Sequence, residues 1–230
     1  MRIKLMSFNI QHGRNHNLTG DMMDLSLMAK VIRDVSPAFA GMQEVYADQP
    51  SILSAMTGGS AYFGWATMDE GKGYGNAVIS QLPVLSCETV PIPDPLKKSY
   101  KGYYETRCVM KLSVECEGKP VTLLVSHFGL NPDEQENAVD TVLAIASACD
   151  DPVILMGDLN MRPGAAPLQR LASHFTDAAA ALNSEEWTFP SHLPDRRIDY
   201  FWYRDATPVS VQTVKVVASD HLPLVAEFEL

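Results

Sequence analysis

The sequence contains few cysteines, no long apolar segment and no low-complexity stretch. Its four cysteines, in a chain of 230 residues, lack metal-ligand spacing, so we interpret them as reduced and mostly buried thiols. No apolar run is long enough to cross a membrane, and the N-terminal residues lack the apolar core of a signal peptide. Because glycine and proline are scattered and no linker or repeat occurs, we predict a single domain over residues 1–230, located in the cytoplasm.

Positive charge is also scarce in this chain. It has 18 Lys and Arg residues against 28 Asp and Glu residues, which gives a formal net charge of −10, and its dense basic patches are residues 97–107 and 195–197. A protein that holds nucleic acid without reading its bases relies on Lys and Arg to displace counterions from phosphates, so long duplex DNA is a poor fit. A small anionic substrate, drawn to a local positive spot or to a bound cation, fits better.

Apolar patterns predict strands and helices that alternate along the chain. Helical patterns cover residues 22–35, 51–56, 131–149 and 167–174, and Asn131 followed by Pro132 is typical of a helix start. The remaining apolar runs predict strands, some joined as hairpins and others across helices, at residues 2–10, 38–44, 61–67, 76–80, 84–90, 106–116, 121–127, 153–158, 197–203, 209–217 and 224–230. This mixture predicts an α/β fold in which a mixed sheet system is covered by helices.

Polar side chains occur at or near the ends of many predicted strands. Each one alone is typical of a cap or a turn, which is the more common role of an isolated Asp or Asn. As a set they indicate an active site at the edge of a sheet, because polar groups that line a pocket converge there. The set comprises Asn9, Glu44, His127, Asp158, Asn160, Asp199, Asp220 and His221.

Oxygen ligands dominate this set. Carboxylates and amides suit hard divalent cations such as Mg²⁺ or Mn²⁺, whereas Zn²⁺ would favour His and Cys. Mg²⁺ keeps several waters and leaves positions for phosphate oxygens. We therefore predict a metal-assisted site for the hydrolysis of phosphate esters.

Eight segments occur in the order seen in the endonuclease/exonuclease/phosphatase superfamily, and together they cover nearly the whole chain. They are "SFNIQHG", "MQEV", "YGNAVIS", "ETRCVMKL", "VSHFGL", "GDLNMRP", "RIDYFWY" and "SDHLPLVAEFEL". The chain therefore resembles this superfamily, whose members include pancreatic-type deoxyribonucleases, apurinic endonucleases, inositol polyphosphate phosphatases and bacterial sphingomyelinases. The resemblance implies the DNase I-like fold, a four-layered α/β sandwich of two mixed β-sheets packed face to face with helices outside.

The resemblance also implies roles for the metal and for the attacking water. Glu44 resembles the main metal-ligating carboxylate, and Asn9 and Asp220 resemble the groups that complete or water-bridge the metal site. Asp158 resembles the residue that orients or deprotonates the attacking water. Asn160 resembles a donor to the phosphate and to the metal shell.

Further roles follow for the imidazoles and the substrate contacts. His221 resembles the histidine that is paired with an acid, here Asp199, and either that pair or the aspartate at 158 takes the proton from water. His127 resembles a second imidazole that contacts the phosphate, and Arg107 resembles the guanidinium that grips a non-bridging oxygen. Asn76 occupies a place where some members carry an acid beside the equivalent of His127.

Other residues are assigned from the sequence alone. We include His192 among the substrate-binding candidates because "TFPSHLPDRR" immediately precedes the Asp199 strand. We interpret His12, His16 and His174 as surface or turn histidines. Trp187 and Phe189 are more typical of packing than of a substrate platform.

Three functions remain open at this point. The acidic pI and the short chain favour a phosphodiesterase or phosphatase that acts on a small or lipid-type substrate. A DNA-acting nuclease of the apurinic or exonuclease type would need a basic face, which the sequence lacks. A non-catalytic binding module on the same fold would have lost residues such as Glu44, Asp158 or His221, and all three are present.

Overall fold

Two six-stranded sheets form the centre of the molecule. The computed structural model describes residues 2–14 and 23–230, and within these ranges the first sheet has the strand order β11-β12-β1-β2-β4-β3 and the second has β5-β6-β7-β8-β10-β9. The strands are β1 (Arg2–Asn9), β2 (Phe39–Tyr46), β3 (Ser60–Asp69), β4 (Lys72–Ser80), β5 (Val84–Pro91), β6 (Cys108–Cys116), β7 (Lys119–His127), β8 (Val153–Asp158), β9 (Thr176–Asp177), β10 (Asp199–Arg204), β11 (Thr207–Thr213) and β12 (Leu224–Glu229).

Helices cover the outer faces of both sheets. They are α1 (Leu25–Val35), α2 (Gln49–Thr57), α3 (Pro132–Ser147), α4 (Ala166–Leu171) and α5 (Ala178–Ala181), and a short 3₁₀ helix spans Gln11–Gly13. The side chains of α1 and α2 pack on the first sheet, and those of α3 and α4 pack on the second. None of the helices in the described ranges combines the length and the hydropathy needed to span a bilayer.

A third apolar cluster fills the space between the sheets. Leu5, Phe39 and Phe228 of the first sheet share it with Leu123 and Met156 of the second, and all five are essentially inaccessible to solvent. Both sheets are mixed, since β1 is parallel to β2 and antiparallel to β12, while β7 is parallel to β8 and β10 is antiparallel to β8. The predicted four-layered sandwich of two mixed sheets is therefore confirmed.

Local signals placed most helices and strands within a few residues. Helix α3 begins at Pro132 after the N-cap Asn131, and a capping box adds the side chain of Glu134. The pattern predicted α1 from residue 22, whereas the helix begins at Leu25 with Asp24 as its N-cap, and residue 22 lies outside the described residues. Strand β11 ends at Thr213, four residues earlier than predicted, and the elements β9 and α5 were not predicted.

Strand register brings three polar residues into one row of the second sheet. His127 of β7 pairs with Asp158 of β8, and Asp158 pairs with Asp199 of β10. Asp199 opens its strand, whereas the sequence pattern had placed it inside one. Because β10 runs antiparallel to β8, its first residue lies at the same sheet edge as the last residue of β8. The alignment of these strands therefore brings predicted site residues together at one edge of the sheet.

Gly157 permits the close contact that places this row. A Cβ atom at residue 157, where φ is +154°, would lie 1.9 Å from the carbonyl oxygen of Ser126 on β7. That contact is far inside van der Waals distance and involves backbone, so neither strand could relax cheaply. The residue immediately before Asp158 therefore has to be glycine.

We expect Gly157→Ala to lower the free energy of unfolding by at least about 3 kcal/mol, because it forces β7 and β8 apart. Gly118→Ala is the matched control: its φ is +79° but open space surrounds it, so it should cost only about 1 kcal/mol. Urea denaturation of both variants measures the difference. Equal losses for the two variants would show that the contact with Ser126 is not limiting.

Candidate active site

The carboxylate of Asp158 lies at the centre of the site and is almost completely buried. Its Oδ2 atom accepts a hydrogen bond from Asn9 Nδ2 at 3.1 Å and lies 3.5 Å from Nε2 of both His127 and His221. Its Oδ1 atom accepts from the backbone N–H of Asn160 at 2.9 Å. A buried carboxylate is costly unless it is surrounded by donors, and these nitrogens supply them from both sheets.

His221 lies between two carboxylates. Its Nδ1 atom donates to Asp199 Oδ2 at 2.8 Å, and its ring packs against Phe189 at a centroid distance of 4.8 Å. Burial alone would lower the pKa of His221, but Asp199 and Asp158 together raise it to about 10. The imidazole is therefore held in its charged form at neutral pH, with Asp199 fixing its orientation.

His127 is held in the opposite state. Burial lowers the pKa of His127, and the charge of Arg107 lowers it further. Arg107 Nη1 lies 2.8 Å from Nδ1 of the ring. A guanidinium has only donors, so Nδ1 accepts from Arg107, while Nε2 lies 3.0 Å from Asn160 Nδ2 and 3.5 Å from Asp158 Oδ2. The two imidazoles that flank Asp158 thus differ in charge.

Asn160 reaches the site through a turn. Side chains two apart in an extended chain point to the same side, so the sequence predicts that Asp158 and Asn160 face one point. Both do line the same cavity, but Asn160 has a φ of +51° and its backbone N–H donates to Asp158, which is the geometry of an Asx turn. Its side-chain amide donates to Phe128 O and lies 3.0 Å from His127 Nε2.

Glu44 extends from an irregular point of β2. The pairing of β2 with β4 shifts between Met42 and Val45, and Glu44 within this bulge has a φ of +55°. The bulge re-aims the Glu44 side chain into the cavity, a common use of bulges near active sites. Asn9 Nδ2 donates to Glu44 Oε1 at 3.0 Å, so one amide group contacts both Glu44 and Asp158.

His12 belongs to the site, although the sequence gave no reason to select it. Its φ is +56° in the 3₁₀ helix that follows β1, its ring stacks on Tyr46 at 4.6 Å, and its Nε2 atom lies 3.8 Å from Glu44 Oε2. Its Nδ1 atom is buried with no hydrogen-bond partner among the described residues. His12 thus has the backbone of a turn residue, as interpreted, but its side chain lines the cavity, which the sequence did not indicate.

A cavity of about 630 Å³ joins these groups. Its lining includes four acids, Glu44, Asp69, Glu105 and Asp220, which we call the acidic wall. Arg162, Arg196 and Phe189 line it as well. Tyr74, Glu105 and Arg196 also line the cavity, although no sequence pattern indicated them. The sequence motif "ETR" contained Glu105, whose Oε1 lies 3.3 Å from Arg107 Nη1. Its position beside Arg107 in this motif was the sequence signal that could have identified Glu105.

Two predicted substrate contacts lie elsewhere. Asn76 is buried, and its Nδ2 atom donates to the carbonyl oxygen of Cys108, the residue after Arg107. It therefore supports the start of β6, directly after the residue that carries the guanidinium. His192 is exposed and is not among the described residues that line the cavity, whereas Phe189 and Arg196 of the same segment are.

The acidic wall fits a hard divalent cation. Glu44 and Asp220 face the cavity, and burial raises the pKa of Glu105 beside them, with a contribution from Glu44. Asn9 stays a predicted ligand, and its Oδ1 accepts from the backbone N–H of Gln11 at 3.1 Å. An excess of carboxylate oxygens around a cavity is the donor chemistry that Mg²⁺ and Mn²⁺ prefer.

A second group of potential ligand atoms, on Asp158, Asp199 and His221, lies within 4.8 Å. Of the three residues, His221 is poorly placed to bind a metal ion. The Nδ1 atom of His221 is already bonded to Asp199, and its Nε2 atom faces Asp158. An imidazole whose two nitrogens both face carboxylates has no free lone pair for a metal ion.

Solved structures of low sequence identity share this fold. An endonuclease/exonuclease/phosphatase from Beutenbergia cavernae is 23% identical over 100% of this chain and 72% of its own, with a TM-score of 0.81. A mannosyl-6-phosphatase from Bacteroides thetaiotaomicron is 14% identical, covers 99% of this chain and 100% of its own, and has a TM-score of 0.80. The human Nocturnin catalytic domain with bound sulfate is 18% identical over 99% and 93%, with a TM-score of 0.78.

No curated protein matches the sequence. A family profile does match it, from residue 6 to residue 221, and this range includes every residue of the row His127, Asp158 and Asp199 as well as Glu44 and His221. The match extends over almost the whole chain and agrees with both the fold and the grouping of the site residues. The chain belongs to the Endonuclease/Exonuclease/phosphatase family.

Proposed function

We propose that this protein hydrolyses phosphate esters of small or lipid-type substrates, with Mg²⁺ or Mn²⁺, by in-line attack of water. The observation that carries the proposal is the buried Asp158 carboxylate, flanked by a charged and a neutral imidazole at the base of a cavity with an acidic wall. The names of two structural neighbours support it: one is a mannosyl-6-phosphatase, and another holds sulfate, an anion of phosphate size. A cytoplasmic location remains part of the proposal.

The arrangement suits the charges that develop during attack on phosphorus. Negative charge grows on the equatorial and leaving oxygens in the transition state. Arg107 and the charged ring of His221 are positive groups of the site, and both are held by buried partners before substrate arrives. Such preorganised groups stabilise developing charge without having to reorient.

Asp158 is the better candidate to accept the proton of water. Burial raises the pKa of Asp158, with a further rise from Asp199, although His221 opposes it. A carboxylate of raised pKa is a stronger base while it remains ionised. A histidine that already carries its proton cannot accept one from water. His221, with its Nε2 atom 3.5 Å from Asp158 Oδ2, would instead orient that carboxylate and stabilise its charge.

The metal ion would be held by Glu44 and Asp220, with Asn9 beside them. When bound, it would supply Lewis-acid stabilisation of phosphate oxygens. Asn9 contacts both Glu44 and Asp158, so it would keep the metal-binding carboxylate and the proposed base at a fixed separation.

Substrate class is tested by comparing four compounds. We expect turnover of a bis-aryl phosphodiester or an aryl phosphate, and little turnover of abasic or plain duplex DNA, because the net charge of −10 opposes a long polyanion. Preferential cleavage of abasic DNA would favour the nuclease alternative. Absence of turnover on all four, with phosphate binding retained, would favour the binding module.

Metal dependence gives the first prediction. Activity on the aryl esters should require Mg²⁺ or Mn²⁺ and should stop with EDTA, since the cavity offers oxygen ligands. Glu44→Ala should weaken metal binding and lower the rate together, as measured by calorimetry and initial rates. Glu115→Ala, at an exposed position of β6, is the control that should change neither. Rescue by Zn²⁺ alone would contradict this ligand set.

The second prediction concerns Asp158 and His221. Asp158→Asn is nearly isosteric and should lower the rate roughly 10²-fold or more while the protein stays folded, the loss expected for a positioned base. His221→Ala should lose activity similarly, and the double variant should lose far less than the product of the two, because both residues serve one attack.

Initial rates at saturating Mg²⁺ measure this cycle, with thermal melts as the folding check. Asp150→Asn, the same substitution at an exposed residue, is the matched control. Near-wild-type turnover in folded Asp158→Asn would remove it from the reaction, and fully multiplicative losses would place the two residues in separate steps.

The third prediction concerns pH and stability. Because the folded pKa of His221 is raised from 6.5 to about 10, the stabilisation it provides is fully present below pH 6.5 and is lost as the pH rises through 10. Asp199→Asn removes the main cause of that rise. At pH 6.5 the free energy of unfolding of wild type should be about 3 kcal/mol larger than that of this variant. The difference should become smaller as the pH approaches 10.

Urea denaturation in EDTA at several pH values measures the gap. Asp205→Asn, at an exposed turn after β10, should show a small and constant difference from wild type. A gap for Asp199→Asn that stays constant or widens with pH would mean that His221 is neutral in the folded protein.

A further inference from the structure

The loop formed by residues 95–104 lies at the mouth of the cavity and differs in chemistry from the rest of the surface. It contains Lys97, Lys98 and Lys101 and no acidic residue, in a chain whose net charge is −10. Among the described residues, Lys97 and Lys101 have no ion-pair partner, and Lys98 lies over the ring of Tyr104 at 4.9 Å. The loop therefore presents local positive charge on an acidic protein.

Apolar side chains of the same loop face solvent. Leu96 is fully exposed, and Tyr100 and Tyr103 are 50% and 66% exposed. Leu130, which follows β7, is 56% exposed and lines the cavity together with Tyr103. The loop therefore carries exposed apolar and cationic groups and reaches the cavity through Tyr103.

The backbone of the loop is fixed, so this exposure is not a consequence of poor packing. The N–H of Ser99 donates to Asp133 at 3.1 Å, and the carbonyl of Tyr103 accepts from Asn131 Nδ2 at 2.8 Å. The hydroxyl of Tyr104 also donates to Asp133. The start of α3 therefore anchors the loop, and Asp133 is engaged by loop hydrogen bonds. The side chains of Leu96, Tyr100 and Tyr103 stay exposed.

We infer that the 95–104 loop docks the protein on an anionic phospholipid membrane and presents its cavity to phosphate esters at that surface. Lysines beside an anionic leaflet gain electrostatic attraction, tyrosines favour the headgroup level, and an exposed leucine gains by entering the acyl boundary. Single-stranded nucleic acid is the weaker fit. Tyr100 and Tyr103 offer rings for stacking of bases, but the exposed Leu96 would gain nothing from a polyanion, and the net charge of −10 opposes one. The nature of the substrate rests on the proposed function, whereas membrane docking itself rests on the loop.

The test measures vesicle binding without turnover. Vesicles of phosphatidylcholine alone and with about one phosphatidylglycerol in three lipids are incubated with the full chain and separated by flotation. We expect the protein to float with the anionic vesicles and not with the neutral ones. Leu96→Asp and the double variant Lys97→Glu/Lys101→Glu should each lower the bound fraction at least about tenfold.

Matched controls use the same substitutions away from the cavity. Leu85→Asp on β5 and Lys119→Glu at the start of β7 change exposed residues toward the other end of the second sheet, and both should leave vesicle binding unchanged. Turnover of a soluble aryl phosphate is measured separately and should be unaffected by every loop variant, since none of the changed residues lines the cavity among the described residues.

The outcomes separate the two proposals. Failure of wild type to float, or losses that are equal in loop and control variants, would overturn membrane docking whatever the enzyme activity. Tighter binding of a single-stranded oligonucleotide than of anionic vesicles, lost in the same loop variants, would overturn it in favour of nucleic acid. Normal flotation without any ester hydrolysis would instead remove the proposed function and leave the docking surface.

Discussion

The charge of one buried carboxylate organises the site. Asp158 is almost inaccessible to water, so its ionised form depends on nitrogen donors placed around it. Those donors come from β1 through Asn9, from β7 through His127, and from the segments that hold Asn160 and His221. Because these elements belong to both sheets, the requirements of a single charge fix how the edges of the two sheets meet. The apolar core between the sheets supplies the stability, and the polar edge selects the alignment.

The groups bonded to the imidazoles and the groups that line the cavity differ in their balance of charge. On the inner side, hydrogen bonds are short and each imidazole has a defined state, since His127 faces a guanidinium and His221 faces a carboxylate. Elsewhere on the cavity lining there are more acids than arginines: Glu44, Asp69, Glu105 and Asp220 against Arg107, Arg162 and Arg196. A buried region that is balanced in charge can stay rigid, whereas an unbalanced wall invites a cation. The same sheet edge therefore combines a carboxylate held by fixed donors with a cavity lining that favours a cation.

The sequence predicted the architecture well because its information is local and periodic. Helix α3 could be placed from Asn131, Pro132 and its acidic first turn, and buried strands such as β8 could be placed from continuous apolar runs. Two of the residues that the sequence did not indicate reach the cavity from irregular backbone. His12 has a positive φ, and Glu105 precedes β6 in an irregular segment. Family resemblance found Glu44 despite its bulge, but no periodicity could have predicted where its side chain points.

Asn9 and Asp158 are joined by a hydrogen bond that spans 149 positions of the chain. The strand that carries Asn9 also needs β12 as its neighbour, and His221 lies directly before β12. Contacts of such long range form late in folding, because loop closure must precede them. During synthesis on the ribosome, the N-terminal half can build its strands without holding a complete site. The site is therefore complete only when both sheets have closed, and a chain still in synthesis lacks His221 and its contacts with Asp158 and Asp199.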